Sequence, residues 1–348
     1  MISPVRLRSR DLKPHKASIA PLLEASTVLT KSPWEFVSLW LMRQQNTAAL
    51  FYWNQARRFA DAAVKMPPEA SPLLHYYSFM NATKALLTAK RVLFDEWHGV
   101  SQQNLRGNSA RIELSNEGVQ IRSKGILPAL ASYLGDTESK KTHSLKEILL
   151  NIPFVHRTYC LTYRSQSDMF YALTDCHYMF DSSSGQAYLS ANLSRDFAHK
   201  RYLKKLPPSF MADPNGSDVR AIRSTASASV SRAHVTSPTD VANMAALNRQ
   251  LRSDVVYIAG SQTLWYIKVA AAGGRPLNRS PLTLTLAAMH RLSEICRYRP
   301  LELAAFLRGQ RNWLLSEFAL MAPEQFLDGI AAELTGHQFL LPNVRPAA

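Results

Sequence analysis

Residues 71–87 read Ser71-Pro72-Leu73-Leu74-His75-Tyr76-Tyr77-Ser78-Phe79-Met80-Asn81-Ala82-Thr83-Lys84-Ala85-Leu86-Leu87. This stretch decides the helical part of the fold. Ser-Pro is a helix-opening pair, and no further proline or glycine follows until Gly99. The pattern predicts a helix from Ser71 to about Phe94. Leu73, Tyr77, Met80, Lys84, Leu87 and Arg91 fall on one helical stripe. Its first half is apolar and its second half carries Lys84 and Arg91. A cation on a core-facing line either runs its stem to the surface or lines a pocket.

Working outward, Ser32-Pro33 predicts another helix start, ahead of Trp34, Phe36, Val37, Leu39, Trp40 and Leu41. A helix over about 47–65 carries Leu50, Phe51, Trp53, Ala56 and Phe59, and Pro67-Pro68 stops it. Beyond Gly99 the period changes to two. Arg111–Leu114 and Val119–Arg122 alternate about a four-residue turn and predict a β-hairpin. Short helices are expected near 126–134 and 143–151, with Ser144 as a cap. A second hairpin is expected over 168–193, around Ser182-Ser183-Ser184-Gly185. Residues 207–235, rich in Ser, Pro and Arg, read as a long loop with room for one strand. A helix over about 239–253 and strands near 254–271 follow. Pro300 and Pro323 then divide helices near 281–297, 300–309, 311–321 and 323–335.

The expected fold is therefore α+β and mostly helical, with helical N- and C-terminal blocks around a β-hairpin-containing middle. The boundaries are a basic arm at 1–30, a helical block at 31–100, a mixed middle at 101–275 with its loop at 207–235, and a helical block at 276–340. The two helical blocks are able to pack together.

The chain has 348 residues, 41 Lys and Arg against 26 Asp and Glu, and a net charge of +15. That balance favours a polyanionic partner, nucleic acid before a membrane surface. At 46% hydrophobic residues, wholesale disorder is excluded. Cys160, Cys176 and Cys296 form neither a disulfide framework nor a CxxC metal motif, so no metal is expected and the compartment is expected to be cytoplasmic. No apolar run is long enough to span a membrane, and the basic N-terminus lacks the apolar core of a secretory signal.

The strong catalytic signatures are missing: no P-loop, GxGxxG, HExxH, GxSxG or EF-hand loop occurs. No cofactor is expected. Metal-independent helical ribonucleases pair an Arg that holds phosphate with a His that moves protons, with four to six residues between them. Arg8/His15, Arg10/His15 and Arg91/His98 have such spacing, but about two such pairs arise by chance in this composition. Arg91 and His98 are the best placed, at the end of the helix that carries Lys84. A helix-terminal His with an Arg91–Asp95 contact is the plain alternative. On the later helix His290, Glu294 and Arg297 share a face at i, i+4 and i+7, with Arg291 beside them and Arg299 before Pro300. They read either as an imidazole with a phosphate clamp or as a salt-bridge row. Lys200, Arg201, Lys204 and Lys205, interleaved with Phe197 and Tyr202, suit phosphate contact with base stacking.

The 71–87 run resembles the early helix of YaaC-like proteins, as do His98-Gly99 and Leu145-Lys146-Glu147-Ile148-Leu149 leading to Ile152-Pro153. Arg297-Tyr298-Arg299-Pro300, Trp313 and Phe326 resemble that family's C-terminal helices. The resemblance implies a bacterial cytoplasmic protein and brings no reaction with it. The Tyr-Tyr…Lys-Ala-Leu-Leu helix also resembles HEPN domains, often ribonucleases of toxin and antiphage systems, although their Arg–His motif is missing from a comparable late helix.

The expectation is a basic protein that binds RNA or DNA, in the manner of a HEPN-like defence effector. His98, Arg91, His290 and Glu294 are the candidate catalytic residues. Lys84, Lys200, Arg201, Lys204, Lys205, Arg291, Arg297 and Arg299 are the candidate phosphate ligands. If it is an enzyme, metal-independent ribonuclease is the class. The alternatives are a non-catalytic protein-interaction subunit and a nucleotide or small-molecule sensor.

Overall fold

In a computed structural model of the chain, Ser32, Ser237 and Ser280 each cap a helix that the next residue, a proline, begins. Their Oγ atoms accept the N–H three residues on, at 3.4, 3.0 and 3.2 Å. Ser71 differs: it is already helical, and no side chain caps its helix. The structure describes residues 1–107, 113–216, 218–271, 273–309 and 312–341.

The chain forms two units and alternates between them. Unit 1 comprises Met1–Leu29, Asp168–Pro276 and the residues from Gly336; unit 2 comprises Thr30–Ser167 and Leu277–Thr335. The first segment carries β1 (Ile2–Pro4), β2 (Arg6–Leu7), β3 (Arg10–Asp11) and β4 (Val28–Leu29). Unit 2 begins with α1 (Pro33–Arg43), α2 (Thr47–Val64), α3 (Ser71–Ala89), β5 (Val100–Asn104) and β6 (Glu117–Ile121). It continues with α4 (Ile126–Leu134), β7 (Thr142–Ser144), α5 (Leu145–Leu150) and α6 (His156–Thr162). Back in unit 1 come β8 (Phe170–Asp181), β9 (Gln186–Leu193), α7 (Lys200–Leu203), β10 (Phe210–Ala212) and β11 (Ala221–Ser224). Then follow β12 (Ala228–Ser229), β13 (His234–Val235), α8 (Pro238–Leu251), β14 (Val255–Ile258) and β15 (Leu264–Lys268). Unit 2 is completed by α9 (Pro281–Tyr298), α10 (Pro300–Arg308) and α11 (Asn312–Thr335), and unit 1 by β16 (Phe339–Leu340).

Unit 1 is built on a curled antiparallel sheet in the order β10-β11-β9-β8-β15-β14, with β1 joined to β8 and β12 to β9. Tyr178, Leu189, Ile222, Met244 and Ile267 belong to its core. The hairpin read around Ser182–Gly185 is β8/β9. A bulge interrupts it between Thr174 and His177, where Asp175 adopts φ +53°.

Unit 2 centres on α3 and α9. Twelve residues of α9 are buried, on every side of the helix, which marks an interior helix. Helices α2, α9 and α11 pack around α3. Strands β5, β6 and β7 form a small antiparallel sheet. Among the described residues, no helix is long and apolar enough to cross a membrane.

Several expectations are corrected. The chain is not mostly helical: 44% is helix, 20% is strand, and the large sheet is a principal element. Many of its strands are two to four residues long, too short for a period-two pattern to register. Residues 207–235 are no loop but hold β10, β11, β12 and β13. Strand β6 pairs with β5 and β7, while Arg111 and Ile112 of the expected hairpin lie outside the described residues. Pro323 sits inside one continuous helix, α11, rather than dividing two. The expected stripe on α3 is not its buried face. Leu73, Tyr77, Met80 and Lys84 are half-buried, Leu87 is the one buried member, Arg91 is past the helix end at φ +55°, and Pro72, His75, Tyr76, Phe79, Thr83 and Leu86 face the interior.

Candidate functional site

Pairing α3 with α9 brings together most of the chemistry-bearing residues of unit 2. The Tyr76 hydroxyl is hydrogen-bonded to His98 Nδ1. The His290 ring stands edge-on to Tyr76 at 5.0 Å between centroids and lies 6.0 Å from the His98 ring. Glu294 Oε1 is 4.0 Å from His290 Nε2 and accepts a hydrogen bond from Arg297 Nη2 at 2.6 Å. Lys84, one helical face along α3, holds its ammonium 5.3 Å from the Tyr52 ring.

The segment bearing His98 is clamped by backbone bonds to the start of α4. Ile126 N–H donates to the Trp97 carbonyl at 2.8 Å, Leu127 N–H to the His98 carbonyl at 3.2 Å, and Arg122 N–H to the Gly99 carbonyl at 2.9 Å. Two glycines make this possible. Gly125, at φ +117°, has its Cβ position 2.5 Å from the Gly99 Cα; Gly99, at φ +72°, has its own 2.3 Å from Pro128 Cδ.

The electrostatics follow from burial. His290 is 4% exposed and pushed down to about 3, first by burial and then by the charges of His98, Arg291 and Arg297. Its Nδ1 is buried without a hydrogen-bond partner among the described residues. His98 is lowered by partial burial, then by Arg297 and Lys84, with Glu294 opposing. Burial pushes the Tyr76 phenol far above its usual range. At neutral pH the site therefore offers two neutral imidazoles, a protonated phenol, two cations and one carboxylate. It is a net-positive place equipped for proton transfer.

The other candidates fall elsewhere. Arg91 is exposed, and it is not among the charges acting on His98. Arg291 is 1% exposed and gives its guanidinium to Glu117 and to Gln102 Oε1, the latter at 2.8 Å. Arg299 bonds Glu117 Oε1 at 2.8 Å and also Glu302. Arg106 reaches Glu117 at 2.6 Å and Glu302 at 2.5 Å. Three guanidiniums thus share two carboxylates, one of them fully buried. In unit 1, Lys200, Arg201 and Lys204 are exposed on and after the single-turn helix α7, and Lys205 is half-buried. Arg201 lies 4.8 Å above the Tyr202 ring and bonds its hydroxyl. Phe197 is buried against Tyr171, so only part of the expected stacking surface faces outward.

Sequence reading missed Tyr76, Glu117 and Arg106 as site members. Tyr76 is one position off the stripe that drew attention to Lys84. Glu117 had the one available signal, a lone carboxylate in an apolar alternating strand.

Fold and site together define a two-unit protein: an antiparallel-sheet unit, and a helical unit whose central helix pair carries a tyrosine–histidine–arginine cluster. Residues 21–334 match the YaaC-like protein family, and the chain belongs to that family. No curated protein and no solved structure matches the chain.

Proposed function

We propose that unit 2 binds the phosphate backbone of a nucleic acid at the cluster of Tyr76, His98, His290, Glu294 and Arg297, with Lys84 adding positive charge. The observation that supports this most is the juxtaposition of His98 and His290 beside Arg297. A phosphate held by Arg297 and Lys84 would lie within reach of an imidazole whose lowered basicity keeps it neutral and able to accept a proton. The reaction class this equipment suits is metal-independent cleavage of RNA, in which the His98–His290 pair relays the proton of the attacking 2′-hydroxyl to the departing 5′-oxygen. The net charge of +15 and the exposed cations of α7 agree with a polyanionic partner. Three sparse, widely spaced cysteines agree with a reducing, cytoplasmic setting.

The test is binding of RNA and DNA oligonucleotides across a salt series, followed by an RNA cleavage assay. Wild type is expected to bind with a steep salt slope. Arg297→Glu is expected to abolish binding at unit 2, and His98→Ala to abolish cleavage while leaving binding. Unchanged binding in Arg297→Glu overturns the proposal.

A second reading, a non-catalytic protein-interaction subunit, draws on Leu39, Met42 and Phe51, which are exposed on α1 and α2. A stoichiometric protein partner in a preparation free of nucleic acid favours it.

A further inference from the structure

The nucleic-acid reading leaves one feature beside His98 unused. Trp97 is 76% exposed, although its backbone carbonyl is fixed by the Ile126 N–H. An indole left in water on an anchored backbone is a ready stacking surface that costs little ordering entropy on binding. Trp97 and His98 line a shallow pocket with Gly99, Val100, Arg122 and Lys124. Arg122 is steadied by a 3.1 Å bond from Nε to Ser101 Oγ, and both cations are exposed. The lining thus combines an indole, a histidine and two cations. Asp95 and Glu96, exposed on the preceding loop, disfavour phosphate beside themselves and so favour Arg122 and Lys124 as its ligands.

We infer that the strand entering this site is single-stranded, with one base stacked on Trp97 and the adjoining phosphates lying along Arg122 and Lys124. The inference rests on the phosphate-binding reading of the His98 cluster. Duplex bases have both faces occupied by their neighbours, so an indole gains a stacking partner only from an unpaired base. The pocket's cations are spaced on the backbone of one short loop, which suits one strand rather than a groove.

The experiment compares a single-stranded oligonucleotide with its duplex, in both RNA and DNA form, against the full-length protein. Trp97→Ala is expected to weaken single-strand binding roughly ten- to a hundredfold and to leave duplex binding unchanged. Trp97→Phe is expected to restore most of it. Arg122→Ala and Lys124→Ala are each expected to lower the salt slope by about one. Thermal melting checks that the variants remain folded, and the exposure of all three side chains argues that they do. If Trp97→Ala binds single strands as wild type does while Arg297→Glu does not bind, the stacking inference falls and phosphate binding stands. If neither substitution matters, both fall. Trp97-dependent capture of a purified partner protein, with no single-strand preference, also overturns the inference.

Discussion

The hydroxyl of Tyr76, on α3, is hydrogen-bonded to Nδ1 of His98, on the loop that leads to β5. Burial keeps the phenol protonated; with Tyr76 donating to Nδ1, the neutral imidazole carries its proton on Nε2. The bond selects the tautomer and stabilises the uncharged form. Tyr76→Phe is expected to raise the His98 pKa toward its ordinary value, read by NMR titration of the imidazole. It is also expected to cost about 0.5–1.5 kcal/mol of stability. A His98 titration that does not move means that the bond does not hold the ring.

Acid should destabilise the protein through three buried imidazoles. Burial lowers His15 in unit 1 and His290 in unit 2 to about 3, and His75 in unit 2 to about 4. The unfolded chain protonates these groups near 6.5, so below that pH it binds protons that the folded chain refuses. Stability is then fully present above about 6.5 and falls as the pH is lowered toward the folded values, by roughly 1.4 kcal/mol per pH unit for each group. Denaturant titrations at pH 7, 6 and 5 measure the slope. His290→Gln should flatten it by about one proton.

Glu117 is a buried carboxylate facing Arg106, Arg291 and Arg299. Glu117→Ala leaves Arg106 and Arg299 with Glu302 alone and the buried Arg291 with only the neutral Gln102, and is expected to cost about 3–5 kcal/mol. Adding Arg291→Met should recover part of that loss, since it removes the most deeply buried of the stranded charges. A loss below about 1 kcal/mol would mean that the network contributes little beyond the solvation it forgoes.

Gly125→Ala tests the clamp that holds His98. The new methyl would overlap Gly99 backbone atoms at a φ that L side chains rarely adopt, with an expected cost of about 1–3 kcal/mol. Because the strain bears on residues 97–99, the His98 ring resonances should shift more than those of His75. Equal shifts in both would point to general loosening instead.

The helix starts were legible because they are local. Ser32-Pro33 specifies its own cap within four residues, Pro281 marks the start of α9, and His290 and Glu294 declare a shared face by their spacing. Period-two alternation over β8 and β9 likewise shows the main hairpin. Much else was not legible. Helix α3 is apolar on more than one side, so periodicity could not choose between the Leu73–Tyr77–Met80 line and the Tyr76–Phe79–Thr83 line. The two- to four-residue strands of 207–235 are held by neighbours across the sheet and carry too few residues to show a pattern. Pro323 signals a break, yet the buried surroundings of Ala322, Phe326 and Ile330 keep α11 continuous.

By itself, then, the sequence determined the basic charge, the helix N-termini, the main β-hairpin and the i, i+4 geometry of His290 and Glu294, all consequences of composition or of contacts within one turn or hairpin. Only the tertiary structure decided that α3 lies against α9, and hence that Tyr76 and His98 meet His290. The same packing commits Arg291 and Arg299 to Glu117 and leaves Arg297 and Lys84 at the site. Those assignments depend on which faces are buried, and burial is a property of the packed whole that no window of the chain contains.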